Sequence, residues 1–338
     1  MKEYNVAVVG ATGLVGTEMI KMLEELKFPV KNLIPLASEK SEGKKVVLHN
    51  KEYKVQTLKE NSFKGIDIAL FSAGSAVSEK FAPLAAKAGA VVIDNTSFFR
   101  MKKDIPLVVP EVNARDIKKH KGIIANPNCS TAQMVLALKP IHDKYRIKRV
   151  VVSTYQATAG AGKAAMDELL EQTANILNGR GAGKPKKFTR QIAFNLIPQI
   201  DVFTDNGYTK EEMKMTNETK KIIGDESIEV VATCVRVPVF IGHSESLNIE
   251  VEKKFEVKDV QKLLAKSPGI KLMDDPAKGM YPTPIDCVEE NDTFVGRIRR
   301  DFTVPNGIAM FIVSNNLRKG AALNAVQIAW ELIKQKLI

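Results

Sequence analysis

The chain has 338 residues, of which 44% are apolar and 26% charged, with a net charge of +11. This length exceeds one ordinary hydrophobic core and predicts two domains, and the composition excludes a disordered chain. No apolar run approaches the roughly 20 residues that span a bilayer, and the start MKEYNVAVVG lacks a signal-peptide pattern. Three cysteines without framework spacing exclude a disulfide scaffold, so we expect a cytoplasmic protein without a membrane partner.

The positive charge raises the question of nucleic-acid binding. The segment 178–190, NGRGAGKPKKFTR, is basic and glycine-rich, but aromatic residues are not interleaved with its charges as a base-stacking surface would need. Most other lysines alternate with Glu and Asp, as on a solvated surface. We therefore expect a surface loop there and no nucleic-acid partner. The same charge suits a protein that handles anionic small molecules.

The first 126 residues alternate between strand and helix patterns. Continuous apolar, β-branched runs predict strands, and helical spacing of apolar residues predicts helices between them. The strand runs are 4–10, 31–38, 66–73 and 89–96, and the helix runs are 17–26 and 78–89. Because strands that alternate with helices form parallel, doubly wound sheets, the expected fold class is α/β, with a Rossmann-like domain at 1–126.

The pattern changes after residue 126. Longer apolar runs with partial in-out alternation predict a mostly antiparallel or mixed sheet with one covered face, and helical runs lie among them. The strand runs are 149–157, 227–239, 243–255, 293–302 and 307–316, and the helix runs are 164–179 and 217–224. We therefore predict an α+β second domain at 127–316, and an amphipathic helix within 317–338 that packs back on the first domain.

Glycines at 10, 13 and 16 follow the first predicted strand and open the next helix. Glycine permits a tight turn and a close approach of the backbone, and the amides and dipole of a helix start favour a phosphate group. The G-x-x-G-x-x-G spacing differs from the commonest dinucleotide fingerprint, and a tight turn without a ligand is the alternative. The position in the first βαβ unit predicts a nucleotide site.

The end of the second predicted strand, LASEKSEGKK at 36–45, bears on the choice of cofactor. An NAD site usually has an acidic residue in this region, whose carboxylate accepts hydrogen bonds from the ribose hydroxyls. Ser38, Lys40 and Ser41 suit a 2′-phosphate, whereas Glu39 would repel one if it pointed inward. We therefore expect NADP rather than NAD.

Cys129 stands between an Asn-Pro-Asn turn and a run that reads as a helix, ANPNCSTAQMVLALK at 125–139. It is either a small buried apolar residue or a thiolate, because amides at a helix start lower a thiol's pKa and stabilise an oxyanion on an attacked carbonyl. Cys234 falls within a strand pattern and Cys287 near a proline-rich turn. No two cysteines have metal-ligand spacing, so we expect no metal site.

A nucleophilic cysteine usually needs a base, and the chain has four histidines. His49 and His120 lie among lysines and asparagines, and His142 closes a helix, where a cation suits the dipole. His243 follows a glycine at the start of a predicted strand, in VPVFIGHSESLNIE. It is either a structural residue or the base for Cys129, and sequence spacing does not decide between the two.

An ordered set of short segments runs along the whole chain: VAVVGATGLVG, IDNTSFFRM, VVPEVN, NPNCSTAQM, STYQA, ETKKI, VRVPVFIGHSES and NNLRKGAALNAVQIAW. Together these segments resemble the aspartate-β-semialdehyde dehydrogenase family. The resemblance implies reduction of β-aspartyl phosphate by NADPH to the semialdehyde, with release of phosphate. It also implies a place in the biosynthesis of lysine (through diaminopimelate), threonine, methionine and isoleucine. A homodimer or homotetramer formed through the second, catalytic and dimerisation, domain is implied as well.

The resemblance implies catalytic roles for particular residues. Cys129 is the nucleophile that forms a thioester, and His243 is the acid–base residue. Gln156 orients the acyl intermediate, although taken alone it would read as an amide at a strand end.

Further residues are implied to hold the substrate. Arg236 binds its carboxylate, because a guanidinium can fork onto two oxygens, and Glu218 faces its amino group. Arg100, Asn128 and Lys221 bind phosphate, and Lys221 lies one helical turn after Glu218 on the same face. Taken singly, the charged residues would read as ordinary ion pairs. Together they supply the opposite charges that a zwitterionic acyl phosphate needs.

The predicted cofactor residues come from both domains. They are Gly10, Thr12, Gly13, Leu14, Val15, Ser38, Lys40, Ser41, Ala159, Gly160 and Asn316. Two departures from the family bear on them: TAGAGK at 158–163 stands where many relatives have Ser-Gly-Ala-Gly, and Lys40 stands where relatives often carry Arg. Lysine supplies charge but lacks the planar fork, which bears on the NADP preference and not on the hydride chemistry.

The residues alone leave other functions open. N-acetyl-γ-glutamyl-phosphate reductase is another cysteine-dependent acyl-phosphate reductase, but it does not need a carboxylate facing a free ammonium, which Glu218 supplies. A nucleotide-binding regulator without catalysis would explain the glycine motif, but it gives no reason for Cys129 at a helix start. Nucleic-acid binding would use the positive charge and would weaken steeply with salt.

Overall fold

The computed structural model describes residues 2–338, which divide into two compact units. The first unit comprises the chain up to Asn128 together with Ala321–Ile338, and the second comprises Cys129–Gly320. Each unit is built on its own six-stranded sheet. Within the described residues, no helix has both the length and the apolar character needed to cross a membrane.

The first unit contains a parallel sheet flanked by helices. Its strands, numbered in chain order, are β1 (Tyr4–Val9), β2 (Val30–Ala37), β3 (Lys45–Leu48), β4 (Lys51–Lys54), β5 (Gln56–Thr57), β6 (Ile68–Phe71), β7 (Val91–Asp94) and β8 (Ile123–Ala125). Its helices are α1 (Leu14–Glu25), α2 (Ser75–Lys87), α3 (Pro110–Asn113) and α8 (Leu323–Lys334). The sheet order β5-β2-β1-β6-β7-β8, parallel at every pairing, confirms the predicted Rossmann-like class.

Burial explains why these apolar runs form the centre of the first unit. Strand β1 is buried along nearly its whole length, as expected of a parallel strand with both faces covered. Helix α1 turns Met19, Met22 and Leu23 into the same core. Helix α8 joins that core, and Trp330 lies edge-on to Phe28 with ring centroids 5.4 Å apart. The segment after the second unit therefore completes the core of the first.

Strands β3 and β4 form an antiparallel hairpin that the hydrophobic pattern does not predict. His49 and Asn50, at its turn, have left-handed φ angles of 51° and 59°. Such angles suit the tight turns that match the twist of paired strands. The two strands, KVVL and KEYK, have four residues each and begin with lysine, so they are too short for the long apolar run that identifies the other strands.

The second unit contains a mixed sheet. Its helices are α4 (Cys129–Tyr145), α5 (Lys163–Leu177), α6 (Lys210–Ile223) and α7 (Val257–Ala265). Its strands are β9 (Ile147–Gln156), β10 (Glu229–Arg236), β11 (His243–Val251), β12 (Ile270–Leu272), β13 (Thr293–Asp301) and β14 (Gly307–Ser314). In the order β10-β9-β11-β14-β13-β12, the two outer pairings are parallel and the inner ones antiparallel. This arrangement confirms the predicted mixed α+β class.

Helix α6 begins earlier than the helix predicted at 217–224. A capping box opens it: Thr209 Oγ1 accepts from the Glu212 amide, and Glu212 Oε2 accepts from the Thr209 amide at 2.7 Å. These bonds satisfy amides that a helix start leaves without partners. The first turn is largely polar, so no apolar repeat marks it in the sequence.

Candidate active site

Two glycines, one in the turn between β1 and α1 and one in the first turn of α1, have no room for a side chain. Gly10 has a left-handed φ of 88°, and a Cβ on it would lie 2.6 Å from the carbonyl oxygen of Ser72. A Cβ on Gly16 would collide with the backbone of Gly10. The backbone can therefore come close to a ligand at the start of α1, where the amides and the helix dipole favour an anion.

A cavity of about 810 Å³ lies beside this turn, within the first unit. Its lining includes the predicted cofactor residues Gly10, Thr12, Gly13, Ser38 and Lys40. Ser41 is buried behind it, with its hydroxyl oxygen 3.2 Å from that of Thr12. Leu14 and Val15 lie in the first turn of α1. Glu39 also lines the cavity. The cavity lining therefore includes both a carboxylate and the ammonium of Lys40, and these two charges alone do not distinguish an NADP site from an NAD site.

The Asn-Pro-Asn turn before Cys129 is anchored by the side chain of Asn126. Its amide nitrogen donates to Asn95 Oδ1 at 2.6 Å and to the Ala321 carbonyl at 3.1 Å, and its oxygen accepts from Asn324 Nδ2 at 2.7 Å. Asn126 is wholly buried, so losing any of these bonds would leave a polar atom without water. Two segments of the first unit, one at Asn95 and one at Ala321–Asn324, thus hold this turn in place.

Arg100 and Asn128, the predicted phosphate ligands of the first unit, are both buried. Arg100 Nε donates to the Asn126 carbonyl and Arg100 Nη2 to the Asn95 carbonyl, both at 2.9 Å. These bonds hold the guanidinium in one orientation. The third predicted phosphate ligand, Lys221, belongs to the second unit, where it is half-buried on α6.

Cys129 is the first residue of α4, as predicted, and its side chain is half-buried. Gly320, in the π-helical turn Arg318–Ala322, lies so close that a Cβ on it would be 2.7 Å from Cys129 Cβ. The amides of the first turn of α4 have no partners within the helix. They and the helix dipole favour a negatively charged sulfur at this position.

The other two thiols are unsuited to nucleophilic attack. Cys234, in β10, is fully buried, and desolvation raises its pKa far above the ordinary thiol value. Burial likewise raises the pKa of Cys287 to about 12. Both remain protonated at neutral pH, which leaves Cys129 as the candidate nucleophile. Among residues 2–338, no three His, Cys, Asp or Glu side chains group as metal ligands do.

The backbone of Ala157, just after β9, positions both His243 and Arg236. Its N–H donates to His243 Nδ1 at 3.0 Å, and its carbonyl accepts from Arg236 Nη1 at 2.6 Å. Gly160 lies against both side chains, since a Cβ on it would be 3.0 Å from Arg236 Nη1 and 3.1 Å from His243 Nε2. Both side chains are buried. The imidazole and the guanidinium therefore form one fixed cluster.

The start of α4 lies close to this cluster. Gln133 is one helical turn after Cys129, and its Nε2 donates to the His243 carbonyl at 3.3 Å. Burial lowers the pKa of Arg236, and negative charge on Glu211 opposes that shift. The Gln133 bond places the first turn of α4, which begins at Cys129, beside the strand that begins at His243.

Gln156 is held between α4 and α6. Its amide nitrogen donates to Ser130 Oγ and, at 3.3 Å, to Glu211 Oε1. Because a carboxylate only accepts hydrogen bonds, Glu211 determines which end of the amide faces it. Lys214 Nζ lies 3.1 Å from Glu211 Oε2 and 2.9 Å from Asp201 Oδ2, so it bridges the two carboxylates. Gln156 therefore has a fixed orientation beside the first turn of α4.

One face of α6 carries alternating charges at helical spacing: Glu211, Lys214, Glu218 and Lys221. Glu218, which is buried, and Lys221 were predicted as site residues, whereas the other two were missed. The sequence signal that would have indicated Glu211 and Lys214 is the capping box that begins at Thr209. It predicts an earlier helix start, which places both residues on the same face as Glu218. Ser130 and Gln133 were also missed, since neither belongs to a recognisable chemical motif.

The remaining predicted cofactor residues lie in the second unit. Ala159 and Gly160 belong to the 3-10 turn Thr158–Ala161, and Asn316 follows β14. Asn316 Oδ1 accepts from the Gly242 amide at 3.0 Å, directly before His243. Asn316 thus supports the turn that presents the imidazole.

Family models match both parts of the chain. Residues 5–120 match the NAD binding domain of semialdehyde dehydrogenases, and residues 138–319 match their dimerisation domain. With a dinucleotide-type cradle in one unit and a thiol beside a guanidinium and an imidazole in the other, the fold and the site define a semialdehyde dehydrogenase.

Individual proteins narrow this class. The aspartate-semialdehyde dehydrogenase of Aquifex aeolicus is 57% identical, over 99% of both chains. The crystal structure of aspartate semialdehyde dehydrogenase II from Vibrio cholerae, complexed with ASA, is 51% identical with a TM-score of 0.96, over 99% of each chain. That of the Candida albicans enzyme with NADP is 27% identical with a TM-score of 0.78, over 99% of this chain and 100% of that one. The chain belongs to the aspartate-semialdehyde dehydrogenase family, which confirms the resemblance seen in the sequence.

Proposed function

We propose that the chain reduces β-aspartyl phosphate to aspartate β-semialdehyde with NADPH, through a thioester on Cys129. The observation that carries the proposal is the cluster of Arg236 and His243 on the backbone of Ala157, close to the start of α4. A guanidinium for a carboxylate and a thiol for acyl attack are groups that this substrate requires. The product would serve the biosynthesis of lysine through diaminopimelate, and of threonine, methionine and isoleucine.

Cys129 opens the proposed reaction. Its thiolate attacks the acyl carbon, a carbon–sulfur bond forms, and the first amides of α4 donate to the oxygen that becomes negative. Collapse of this intermediate breaks the bond between carbon and the phosphate oxygen and leaves a thioester. Arg100, Asn128 and Lys221 are the proposed phosphate ligands.

The second half of the reaction returns Cys129 to its starting state. When bound, the reduced nicotinamide supplies a hydride to the thioester carbon. The acyl oxygen again becomes negative in a tetrahedral intermediate. Collapse of this intermediate breaks the carbon–sulfur bond and releases the aldehyde and the Cys129 thiolate. Gln156, fixed by Ser130 and Glu211, orients the acyl group, and His243 is assigned to acid–base work. The covalent intermediate divides one difficult reduction into two accessible steps.

Arg236 and Glu218 are proposed to hold the two charged ends of the substrate. The bond from Arg236 Nη1 to the Ala157 carbonyl orients the guanidinium, which then forks onto the substrate carboxylate. Glu218, buried on α6, faces the amino group. The relative from Vibrio cholerae that is complexed with ASA supports this class of substrate.

NADP is the proposed cofactor. The glycine turn before α1 fits a pyrophosphate, because only glycine leaves the backbone accessible there. Ser38, Lys40 and Ser41 are proposed for the 2′-phosphate, and Ala159, Gly160 and Asn316 for the nicotinamide end. The Candida albicans relative with NADP supports this choice.

Lys40→Ala should lower kcat/KM for NADP much more than for NAD, because it removes the ammonium proposed for the 2′-phosphate. Equal effects on the two cofactors, measured by steady-state rates, would contradict this assignment of Lys40.

The match to a dimerisation domain supports a homodimer formed through the second unit, and a homotetramer would be a dimer of such dimers. Light scattering after size exclusion gives the mass directly. A monomer at micromolar concentration would contradict this part of the proposal. We propose a cytoplasmic enzyme with no nucleic-acid or membrane partner, in keeping with its three free cysteines.

The test of the proposed function is the reverse reaction, with aspartate semialdehyde, phosphate and NADP, followed at the absorbance of NADPH. We expect a rate that requires all three compounds. The same assay with N-acetylglutamate semialdehyde distinguishes this function from that of an N-acetyl-γ-glutamyl-phosphate reductase. We expect little or no NADPH formation with that aldehyde. Absence of NADPH formation with aspartate semialdehyde would refute the proposal.

A further inference from the structure

Glu211, in the first turn of α6, connects Gln156 to charged groups that have no role in the proposed reaction. Its side chain is buried, and its two carboxylate oxygens have different partners. Oε1 accepts from Gln156 Nε2 at 3.3 Å, whereas Oε2 accepts from Lys214 Nζ at 3.1 Å. A buried carboxylate is costly unless it is paired and hydrogen-bonded. Glu211 meets both conditions, so it can remain charged between Gln156 and Lys214.

A second carboxylate, that of Asp201, also binds Lys214. Its Oδ2 accepts from Lys214 Nζ at 2.9 Å, and its Oδ1 accepts from the Val202 amide at 2.9 Å. Burial favours the neutral form of Lys214, but the charges of Glu211 and Asp201 outweigh this effect and raise its pKa. At Asp201, partial desolvation is likewise outweighed by the bond with Lys214, so the pKa of that carboxyl is lowered. Asp201, Lys214 and Glu211 therefore form a chain of negative, positive and negative charges.

This chain of charges determines the orientation of the Gln156 amide. The two ends of a glutamine amide have nearly the same shape, and their hydrogen-bond partners distinguish them. The Ser130 hydroxyl can donate or accept, so it tolerates either end, whereas the Glu211 carboxylate only accepts. The amide nitrogen must therefore face α6. A neutral amide at residue 211 would remove this selection.

We propose that Glu211 is a positioning residue of the proposed reaction, and that Lys214 and Asp201 hold its carboxylate in place. This inference rests on the proposed function, in which Gln156 orients the acyl group. Glu211 acts through that amide and does not itself touch the substrate. Rotation of the amide would exchange its nitrogen and its oxygen beside the acyl group, and a misplaced group lowers the rate of reaction. The charged ends of the substrate keep their proposed partners on β10 and α6, so substrate binding is affected less.

Glu211→Gln tests the proposal, because it keeps the size of the side chain while its amide can present either end to Gln156. In the reverse reaction we expect kcat to fall about 10–100-fold, as when a reacting group is misplaced, and KM for aspartate semialdehyde to change less than about twofold. Glu171→Gln removes the carboxylate of an exposed ion pair with Lys186 and is the matched control. It should leave both constants unchanged. A kcat in Glu211→Gln equal to that of wild type would overturn the proposal.

A double-mutant cycle separates positioning from a general loss of structure. In a Gln156→Ala background, Glu211→Gln should lower kcat less than about twofold, because the amide that the carboxylate orients is already absent. A residue that only stabilises the fold would lower kcat by the same factor in both backgrounds. That result would overturn the proposal.

Asp201→Asn changes the exposed end of the chain of charges, outside α6, so this variant should fold even where Glu211→Gln does not. We expect kcat to fall about two- to fivefold, in keeping with the strength of a partly exposed ion pair, and KM to stay unchanged. An unchanged kcat here would also overturn the proposal. An active enzyme without coupling between Glu211 and Gln156 would refute this inference alone. A wild-type enzyme without the reverse activity would refute the proposed function and this inference together.

Discussion

Cys129 differs from the other two cysteines in its position at the start of α4, where helix amides and the helix dipole favour a negatively charged sulfur. Cys129→Ser replaces the thiol by a hydroxyl that these amides do not ionise at neutral pH. We expect loss of nearly all NADPH-dependent activity, with cofactor affinity unchanged, measured by steady-state rates and by titration with NADPH. Cys234→Ala, a change at a buried thiol, is the control and should retain activity. Wild-type turnover in Cys129→Ser would exclude the thioester route.

Arg236 combines a bond to Ala157 with the proposed contact to the substrate carboxylate. Arg236→Lys keeps the charge but removes the planar fork. Since one charge-assisted hydrogen bond contributes roughly 1.5–3 kcal/mol, KM for aspartate semialdehyde should rise about tenfold or more. Arg300→Lys, on β13, is the matched control and should leave KM unchanged. A KM in Arg236→Lys equal to that of wild type would remove this residue from the substrate site.

At the scale of elements, the capping box of α6 supports the helix that carries Glu218 and Lys221. Thr209→Ala removes the oxygen that accepts from the Glu212 amide. The free energy of unfolding should fall by about 1 kcal/mol, the usual effect of losing an N-cap, as measured by urea denaturation. Lys210→Ala, at the exposed neighbouring position, should change it much less. Similar effects in both variants would show that the box does not stabilise α6.

Elements with long apolar runs are predictable from the sequence, and short polar elements are not. Strand β1 and helix α4 were found because burial on all sides requires a continuous apolar composition. The hairpin β3–β4 and the first turn of α6 were missed because turn geometry and capping bonds, rather than burial, define them. Turn and capping residues are therefore needed, besides apolar periodicity, to predict the short polar elements.

The same distinction applies to the site. The glycine turn and the thiol at a helix start are local features, so each could be predicted from a few neighbouring letters. The bond that fixes the His243 ring comes from Ala157, which is 86 residues away in the sequence. Only pairing between β9 and β11 brings these residues together. The resemblance to a family supplied the role of His243, but not the bond that orients its ring.

At the scale of the whole molecule, one buried carboxyl should make stability depend on pH. Burial raises the pKa of Glu245, on β11, well above its ordinary value of 4.5. The folded chain thus binds this proton more tightly than the unfolded chain does. Its contribution to stability is fully present below the unfolded pKa and is lost as pH rises toward the folded pKa, with a slope of at most about 1.4 kcal/mol per pH unit.

Glu245→Gln removes this titration and keeps a polar side chain of the same size beside Gln133. The difference in free energy of unfolding between variant and wild type should therefore shift in the variant's favour from about pH 5 to pH 8. Urea denaturation at several pH values measures it. Glu250→Gln, on the same strand and paired with Lys148, is the control and should not show this trend. A constant difference for Glu245→Gln would mean that the buried carboxyl does not titrate in this range.

Leu332, on α8, is fully buried in the core of the first unit. Leu332→Ala should lower the free energy of unfolding by roughly 2–5 kcal/mol, because it leaves a cavity. Trp330 is the single tryptophan of the chain and packs on Phe28, so its fluorescence during urea denaturation reports this unit. Lys334→Ala, exposed on the same helix, should have little effect. An unchanged midpoint in Leu332→Ala would show that α8 lies outside the cooperative core.

The two segments that build the first unit are separated by the entire second unit. A ribosome therefore delivers α8, with the Asn324 side chain that holds Asn126, only after about 320 residues have emerged. Until then the early strands lack part of their apolar covering, and the nucleotide cradle has no complete scaffold. Folding of the first unit is thus completed late in translation, although most of its residues are synthesised first.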